Sequence, residues 1–115
     1  MAATDLLAPV PLHPKRIKHR GFNQSLLLAQ GFPGAVVIRE LVVRTRHTPP
    51  QVGLNPKERQ KNVKGAFAVT NPALVKGKSV LLIDDLYTTG STVQECARVL
   101  RKAGASRVEV LTVAR

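Results

Sequence analysis

Apolar residues along this chain fall into short runs separated by charged and glycine- or proline-rich text. Leu6–Leu12 (LLAPVPL), Val36–Val43 (VVIRELVV), Ala66–Val69 (AFAV), Val80–Ile83 (VLLI) and Val108–Val113 (VEVLTV) each predict a strand. Pro9 and Pro11 demote the first toward an irregular or edge position. Arg39 and Glu40 partly interrupt the second. The VLLI run is apolar at every position, which fits a strand buried on both faces, as in a parallel sheet.

Helical spacing appears in two places. Phe22–Phe32 predicts a short helix, with Leu26, Leu27, Leu28 and Ala29 on its buried side and Gly31, Pro33 and Gly34 ending it. After Thr92, the residues Val93, Cys96, Ala97 and Leu100 share one helical face. Gln94, Glu95, Arg98, Arg101 and Lys102 are then expected to look outward. Basic residues collect in the last turn, and Gly104 stands where a C-cap glycine belongs. The segment from Ser79 to Val113 therefore reads as one βαβ unit with a right-handed crossover.

Between Arg44 and Gly65 the pattern changes. Basic residues alternate with Pro49, Pro50, Gly53 and Pro56, and apolar residues are sparse. Such a tract reads as a lid or as disordered chain, with a solvated basic hairpin as the plain alternative. Asn55 can cap a short helix with Pro56 at its first position. The chain is read as one domain, residues 1–115, with a mobile lid at about 45–64.

Composition narrows the partners. Eighteen basic residues against seven acidic ones give a net charge of +11, which favours anions: phosphorylated metabolites, nucleic acid or acidic membrane. Apolar content is ordinary at 43%, Trp is absent and aromatics are few, so the core must be aliphatic. A single cysteine, Cys96, excludes an intramolecular disulfide framework and suits a reducing cytoplasm. It lies on the predicted apolar face and reads as core. No stretch is long enough to span a bilayer, and no secretory signal is seen. Asn23-Gln24-Ser25 matches a glycosylation acceptor and, without a secretory route, reads as chance. His13, His19 and His47 are scattered, so no zinc-ligand spacing exists. Gly77-Lys78-Ser79 is not a P-loop, because Pro72 occupies the position of the required earlier glycine and a strand follows.

The chemistry concentrates where the VLLI strand ends. Asp84 and Asp85 come first, then Thr88, Thr89, Gly90, Ser91 and Thr92, then the helix. A helix start offers unpaired N–H groups and the positive end of a dipole. Small residues let a phosphate approach the backbone, and the hydroxyls add donors. Ser91 or Thr92 also reads as an N-cap, since Gln94 and Glu95 complete a capping box in either register. Open α/β sheets bind ligands at the carboxyl ends of their strands. A second basic segment, His13–Gly21, follows the first strand and carries Lys15, Arg16, Lys18 and Arg20 with no acid.

The stretch VLLIDDLYTTGST (80–92) resembles the thirteen-residue signature of type I phosphoribosyltransferases, which bind 5-phosphoribosyl-1-pyrophosphate (PRPP). VPLHPKRIKHRGFNQSLLLA and QVGLNPKERQKNVKG are similar to ComF-type proteins, phosphoribosyltransferase-like proteins linked to DNA uptake. The resemblance implies an α/β, Rossmann-like fold with a mostly parallel sheet of about five strands flanked by helices, without a hood subdomain. It implies that Asp84 and Asp85 hold the ribose hydroxyls as the catalytic pair, and that Thr88, Thr89, Gly90, Ser91 and Thr92 bind the 5-phosphate. His13, Lys15 and Arg16 would wrap the pyrophosphate, with Arg59 and Lys64 closing from the lid. No metal is held directly. Mg²⁺ is carried mainly by PRPP, with Asp84 or Asp85 reaching it through water.

The reaction so implied is displacement of pyrophosphate at ribose C1 by an unknown nitrogen acceptor. Two alternatives stand beside it: a non-catalytic accessory factor in DNA uptake, and a PRPP-sensing regulator that binds nucleic acid through its basic face. The expected partners are PRPP or a ribose 5-phosphate compound, and single-stranded DNA in the second class. A homodimer is compatible with the sequence. ComF-type proteins usually carry paired-cysteine, zinc-ribbon text upstream, which this chain lacks.

Overall fold

The computed structural model describes residues 3–11, 31–46, 53–85 and 90–113, with the backbone alone at Asp85 and Val113. The predicted helix at Phe22–Phe32, except for its last two residues, lies outside these. Among the described residues six strands and three helices follow one another: β1 (Leu6–Pro9), β2 (Val36–Val37), β3 (Val42–Arg44), α1 (Pro56–Val63), β4 (Phe67–Val69), α2 (Pro72–Val75), β5 (Ser79–Asp85), α3 (Gly90–Lys102) and β6 (Arg107–Val113). β2, β1, β5 and β6 form a four-stranded sheet in that order, parallel throughout. β3 and β4 form a separate antiparallel pair. The expected parallel α/β fold is present, with four strands in its main sheet where about five were expected.

Strand alternation divides the apolar residues of this sheet between two faces. Leu6, Ala8, Val80 and Leu82 pack with Cys96, Ala97 and Leu100 of α3. Leu7, Leu81 and Ile83 pack with Phe32, Ala35, Val37 and Leu111 on the other side. The VLLI run is therefore buried on both faces, as its unbroken apolar pattern predicts. Leu7, Leu82 and Leu100 have no exposed surface, and burying each such side chain contributes about 2 kcal/mol.

β1 corrects the edge-strand expectation drawn from its prolines, since it lies between β2 and β5. The Leu7 carbonyl accepts from Ile38 N on the β2 flank at 2.9 Å, and Val10 N donates to Ile83 O on the β5 flank at 2.9 Å. Alternation then turns the nitrogen of Pro9 to the β2 flank, past the last residue of that two-residue strand. The missing donor removes no ladder bond there.

Val36–Val43 is likewise not one strand. The chain turns at Arg39–Glu40, leaves the main sheet, and re-forms as β3 against β4. Thr70 N fastens the new pair to Leu41 O at 2.9 Å. Asn71 caps the short α2, with Leu74 N donating to its side chain at 3.3 Å.

The 45–64 stretch is partly packed, in contrast to the expected lack of an apolar face. Asn55 caps α1 as its sequence predicts. Glu58 N donates to Asn55 Oδ1 at 2.9 Å, and Asn55 N donates to Glu58 Oε1 at 3.1 Å. α1 docks on α3 through Val63, which is buried in the core. Arg46 NH2 closes the far end by donating to Asn62 O at 2.8 Å and Lys64 O at 3.0 Å. Gly65 follows with φ +73°, a left-handed conformation that only glycine adopts cheaply.

Candidate functional site

The sheet order creates a site before any side chain is considered. From β1 the chain goes to β2 on one side, and from β5 it goes to β6 on the other. The carboxyl ends of β1 and β5 therefore border a crevice where strand order reverses, the position at which open α/β sheets take ligands. Pro9 pairs with Ile83, so Asp84 and Asp85 lie just past that point on β5. The chain leaving β1 toward residues 12–20 departs from the same sheet end.

Asp84 is 7% exposed and lies on the α3 face, opposite Thr112 in register. Thr112 Oγ1 donates to Asp84 Oδ2 at 3.3 Å. Gly90 opens α3 only five residues after Asp85, a separation of at most about 17 Å of extended chain. The amides of the first helical turn have no intrahelical acceptor. Gly90 has open space where a Cβ would stand, Ser91 is half-buried and Thr92 is buried.

α3 is described from Gly90 onward, and residue 89 ahead of it lies outside the described residues. Ser91 and Thr92 are within the first turn, so neither is the expected N-cap. Of the other site residues, His13, Lys15, Arg16, Thr88 and Thr89 lie outside the described residues, as does the side chain of Asp85.

Glu95 also departs from expectation, being buried and not outward-facing. Its Oε1 accepts from Arg98 Nε at 2.8 Å, and its Oε2 accepts from Arg98 NH2 at 2.7 Å and from Gly65 N at 2.9 Å. The Arg98 hydrogen bonds hold its carboxyl below the usual range against the opposing effect of burial, and the Gly65 amide and the charges of Arg98 and Lys64 add to this. The i,i+3 spacing of Glu95 and Arg98 was legible in the sequence. The Gly65 contact, thirty residues away, was not.

The structure thus brings the exposed Lys64 to the flank of α3, level with Glu95 and about 7.5 Å along the helix from Gly90. Arg59 is half-buried one turn earlier on α1, and its Nε has no hydrogen-bond partner among the described residues. Arg44 closes the hairpin from β3, its guanidinium 4.9 Å from the centre of the Phe67 ring. Cys96 is fully buried and its thiol is pushed up to about 12 by burial, with Arg44 pulling the other way. It is a core residue, as its position on the apolar face predicts. Among the described residues no three His, Cys, Asp or Glu side chains gather to hold a metal. No described helix is long and apolar enough to cross a membrane.

Residues 25–115 match the family described as phosphoribosyl transferase domain. The chain is 41% identical over 96% of its length to the DNA utilization protein YhgH of Escherichia coli O6:H1, and covers 49% of that protein. It is 39% identical to competence protein F of Haemophilus influenzae and 35% identical to competence protein ComFC of Bacillus subtilis, covering 50% and 44% of them. The chain spans about half the length of these curated relatives, whose names bear out the ComF-type resemblance. A glutamine phosphoribosylpyrophosphate amidotransferase from Bacillus subtilis, complexed with ADP and GMP, superimposes with a TM-score of 0.62 at 20% identity, over 96% of this chain and 22% of its own. That likeness establishes the fold. With the domain match covering both the Asp84–Asp85 pair and all of α3, this chain belongs to the phosphoribosyl transferase domain family.

Proposed function

We propose that this chain binds PRPP at the β1/β5 crevice and transfers its phosphoribosyl group to a nitrogen acceptor. The observation that carries this reading is the juxtaposition, at a strand-order reversal, of a β5 carboxylate and the amino end of α3. Asp84 and Asp85 orient the ribose hydroxyls. Thr88, Thr89, Gly90, Ser91 and Thr92 hold the 5-phosphate with backbone and hydroxyl donors. His13, Lys15 and Arg16 come from the segment after β1, and Arg59 and Lys64 from α1 and its end. Together they neutralise pyrophosphate. The bond from ribose C1 to the pyrophosphate oxygen breaks while the acceptor nitrogen bonds to C1. The electron pair leaves with pyrophosphate, and the acceptor gives up its proton. Positioning and electrostatics suffice for such a step.

The donors at the end of β5 are hard carboxylate oxygens, which suit Mg²⁺. Mg²⁺ would be held by PRPP oxygens and waters, with Asp84 or Asp85 reaching it through water, and would draw charge from the leaving group. A reducing cytoplasm suits the buried thiol of Cys96.

Calorimetry with PRPP and MgCl₂ should give a saturable isotherm that the double substitution Asp84→Asn/Asp85→Asn abolishes. Assays of pyrophosphate release with nitrogen acceptors then decide turnover. Binding without release under any acceptor supports the PRPP-sensing alternative, and no binding at all overturns the reading.

A second reading, an accessory factor in DNA uptake, is supported by the +11 charge and by relatives named for DNA utilization and competence. Its binding to single-stranded DNA would be electrostatic, with each phosphate contact adding about −0.7 to the log–log salt slope. Salt-steep binding displaced by PRPP indicates one shared basic face. Tight, salt-resistant binding indifferent to PRPP makes the nucleic-acid role primary.

A further inference from the structure

The amino end of the main sheet carries positive charge that the crevice at the other end does not use. Lys76 and Lys78 lead into β5, Arg101 and Lys102 end α3, and Arg107 opens β6. Backbone contacts hold these pieces together. Gly77 N donates to Gly104 O at 2.8 Å and Ser106 N to Lys78 O at 2.9 Å, after which Ser79 pairs with Arg107. The stem of Lys76 lies over Gly104, where an added Cβ would stand 3.3 Å from Lys76 Cγ. The acids nearby are already engaged. Glu109 pairs with Arg107 at 2.9 Å, and Asp5 turns its Oδ2 to the amide and hydroxyl of Ser79. Lys76, Lys78, Arg101 and Lys102 are exposed, and none of the four makes an ion pair among the described residues.

The dipole of α3 accounts for Arg101 and Lys102 at its carboxyl end. It does not account for Lys76 and Lys78, which follow a helix of only four residues. Like charges gathered in this way repel one another, so the face is complementary to an anion. The backbone limits what kind of anion. The amides of Gly77, Lys78, Gly104, Ala105 and Ser106 all donate to carbonyls of the fold. A single phosphate therefore finds no amide cradle, only long side chains spread over two turns, an arrangement that suits a row of phosphates. None of residues 76–78 and 101–107 is aromatic. Bases have nothing to stack on there, and the contacts are independent of sequence.

We infer that Lys76, Lys78, Arg101 and Lys102 form a binding face for the phosphates of single-stranded DNA, at the end of the sheet opposite the β1/β5 crevice. The inference deepens the DNA-uptake reading and rests on it for the class of partner. The seven residues of β5 put about 20 Å between this face and Asp85. That is more than two Debye lengths at physiological salt. PRPP in the crevice and DNA on this face therefore bind independently.

The test follows the fluorescence anisotropy of a labelled oligothymidylate at several salt concentrations. It compares the wild-type chain with Lys76→Gln/Lys78→Gln and with Lys57→Gln/Lys61→Gln, which removes the same charge from exposed positions of α1. Each single-strand contact adds about −0.7 to the log–log slope, or about fivefold in affinity at 0.1 M salt relative to 1 M. The first variant should therefore bind about twenty-five-fold more weakly at 0.1 M salt, with a slope shallower by about 1.4. The α1 variant should stay within about threefold, and saturating PRPP with Mg²⁺ should move the wild-type affinity by less than about twofold.

Equal losses in the two variants, a greater loss in the α1 variant, or displacement of the oligonucleotide by PRPP would overturn the inference and leave the DNA-uptake reading standing. A wild-type chain that binds no oligonucleotide would overturn both. Phosphatidylserine vesicles bound through Lys76 and Lys78 by such a chain would make this a membrane face instead. Lysine acetylation read by mass spectrometry gives a second measurement that needs no variant to fold. Bound oligonucleotide should shield Lys76, Lys78 and Lys102 and leave Lys57 and Lys61 as reactive as before. The reverse pattern, or no shielding in the complex, would overturn the inference.

Discussion

β5 ends in polar chemistry at both extremities, and the two ends are built differently. At its start, Ser79 N donates to Asp5 Oδ2 at 2.8 Å, Asp5 N donates to Ser79 Oγ at 3.0 Å, and Ser79 Oγ donates to Ala3 O at 2.8 Å. Acid, hydroxyl and backbone satisfy one another in a closed set that ties the chain ahead of β1 to β5. At its finish, Asp84 takes a longer 3.3 Å bond from Thr112, and the amino end of α3 stands close by in sequence. The residue types are nearly the same, an aspartate and a hydroxyl facing each other across neighbouring segments. Strand direction makes the difference. In a parallel sheet, every following helix starts from the carboxyl end, so unpaired amides gather there and not at the other end.

The comparison is broken most directly by Asp84→Asn with Asp85→Asn. Ligand at about a hundred times Kd should add about 2.7 kcal/mol to the stability of the wild-type chain. The double variant should lose that gain in a thermal melt while the ligand-free melt stays near wild type. An undiminished gain would mean that the carboxyl end of β5 does not bind ribose.

Ser79→Ala tests the opposite end. It removes the donor to Ala3 O and the acceptor of Asp5 N, and should lower ligand-free stability by about 1–2 kcal/mol in urea. The PRPP-induced gain should survive. A variant that loses ligand binding in proportion to stability would show that the two ends are not independent.

Asn55→Ala has a smaller expected effect of about 1 kcal/mol, the usual cost of an N-cap. It should loosen the start of α1 and speed tryptic cleavage at Lys57 and Arg59, while the Lys64–Gly65 bond keeps its rate. Uniform acceleration along α1 would show that the Glu95 contact does not hold the far end by itself.

The smallest effect is on pH dependence. The Ser79 amide bond holds the Asp5 carboxyl below its ordinary value of 3.8, the Ser79 hydroxyl and the charges of Lys78 and Arg107 add to it, and burial opposes them. A depressed folded value means that the contribution is fully present above the ordinary carboxyl range. It disappears as pH falls through the folded value. Asp5→Asn should therefore flatten the acid limb of the stability curve, measured by melts at descending pH, and an identical acid limb would show that the pairing contributes nothing.

Local patterns settled a good deal in advance. The unbroken VLLI run announced a strand buried on both faces because both layers of a parallel sheet demand apolar contacts. Asn55 and Pro56 announced α1 because an N-cap and a first-position proline act within the helix's own first turn. The signature at 80–92 announced the family because its acids, hydroxyls and glycine are contiguous. What depended on distant partners was not legible. Pro9 reads as an edge residue until β2 is seen to end before reaching it. Glu95 reads as solvated until Gly65, thirty residues earlier in the chain, is found donating to it. Val36–Val43 reads as one strand until β4 offers its second half a separate partner. The sequence by itself determined the doubly buried run of β5, the capped start of α1 and the apolar face of α3, since those depend on neighbours within a few residues. Only the tertiary structure decided the strand order that opens the crevice and the burial of the Glu95 carboxylate against Gly65 N, because both depend on contacts the chain closes only once it has folded.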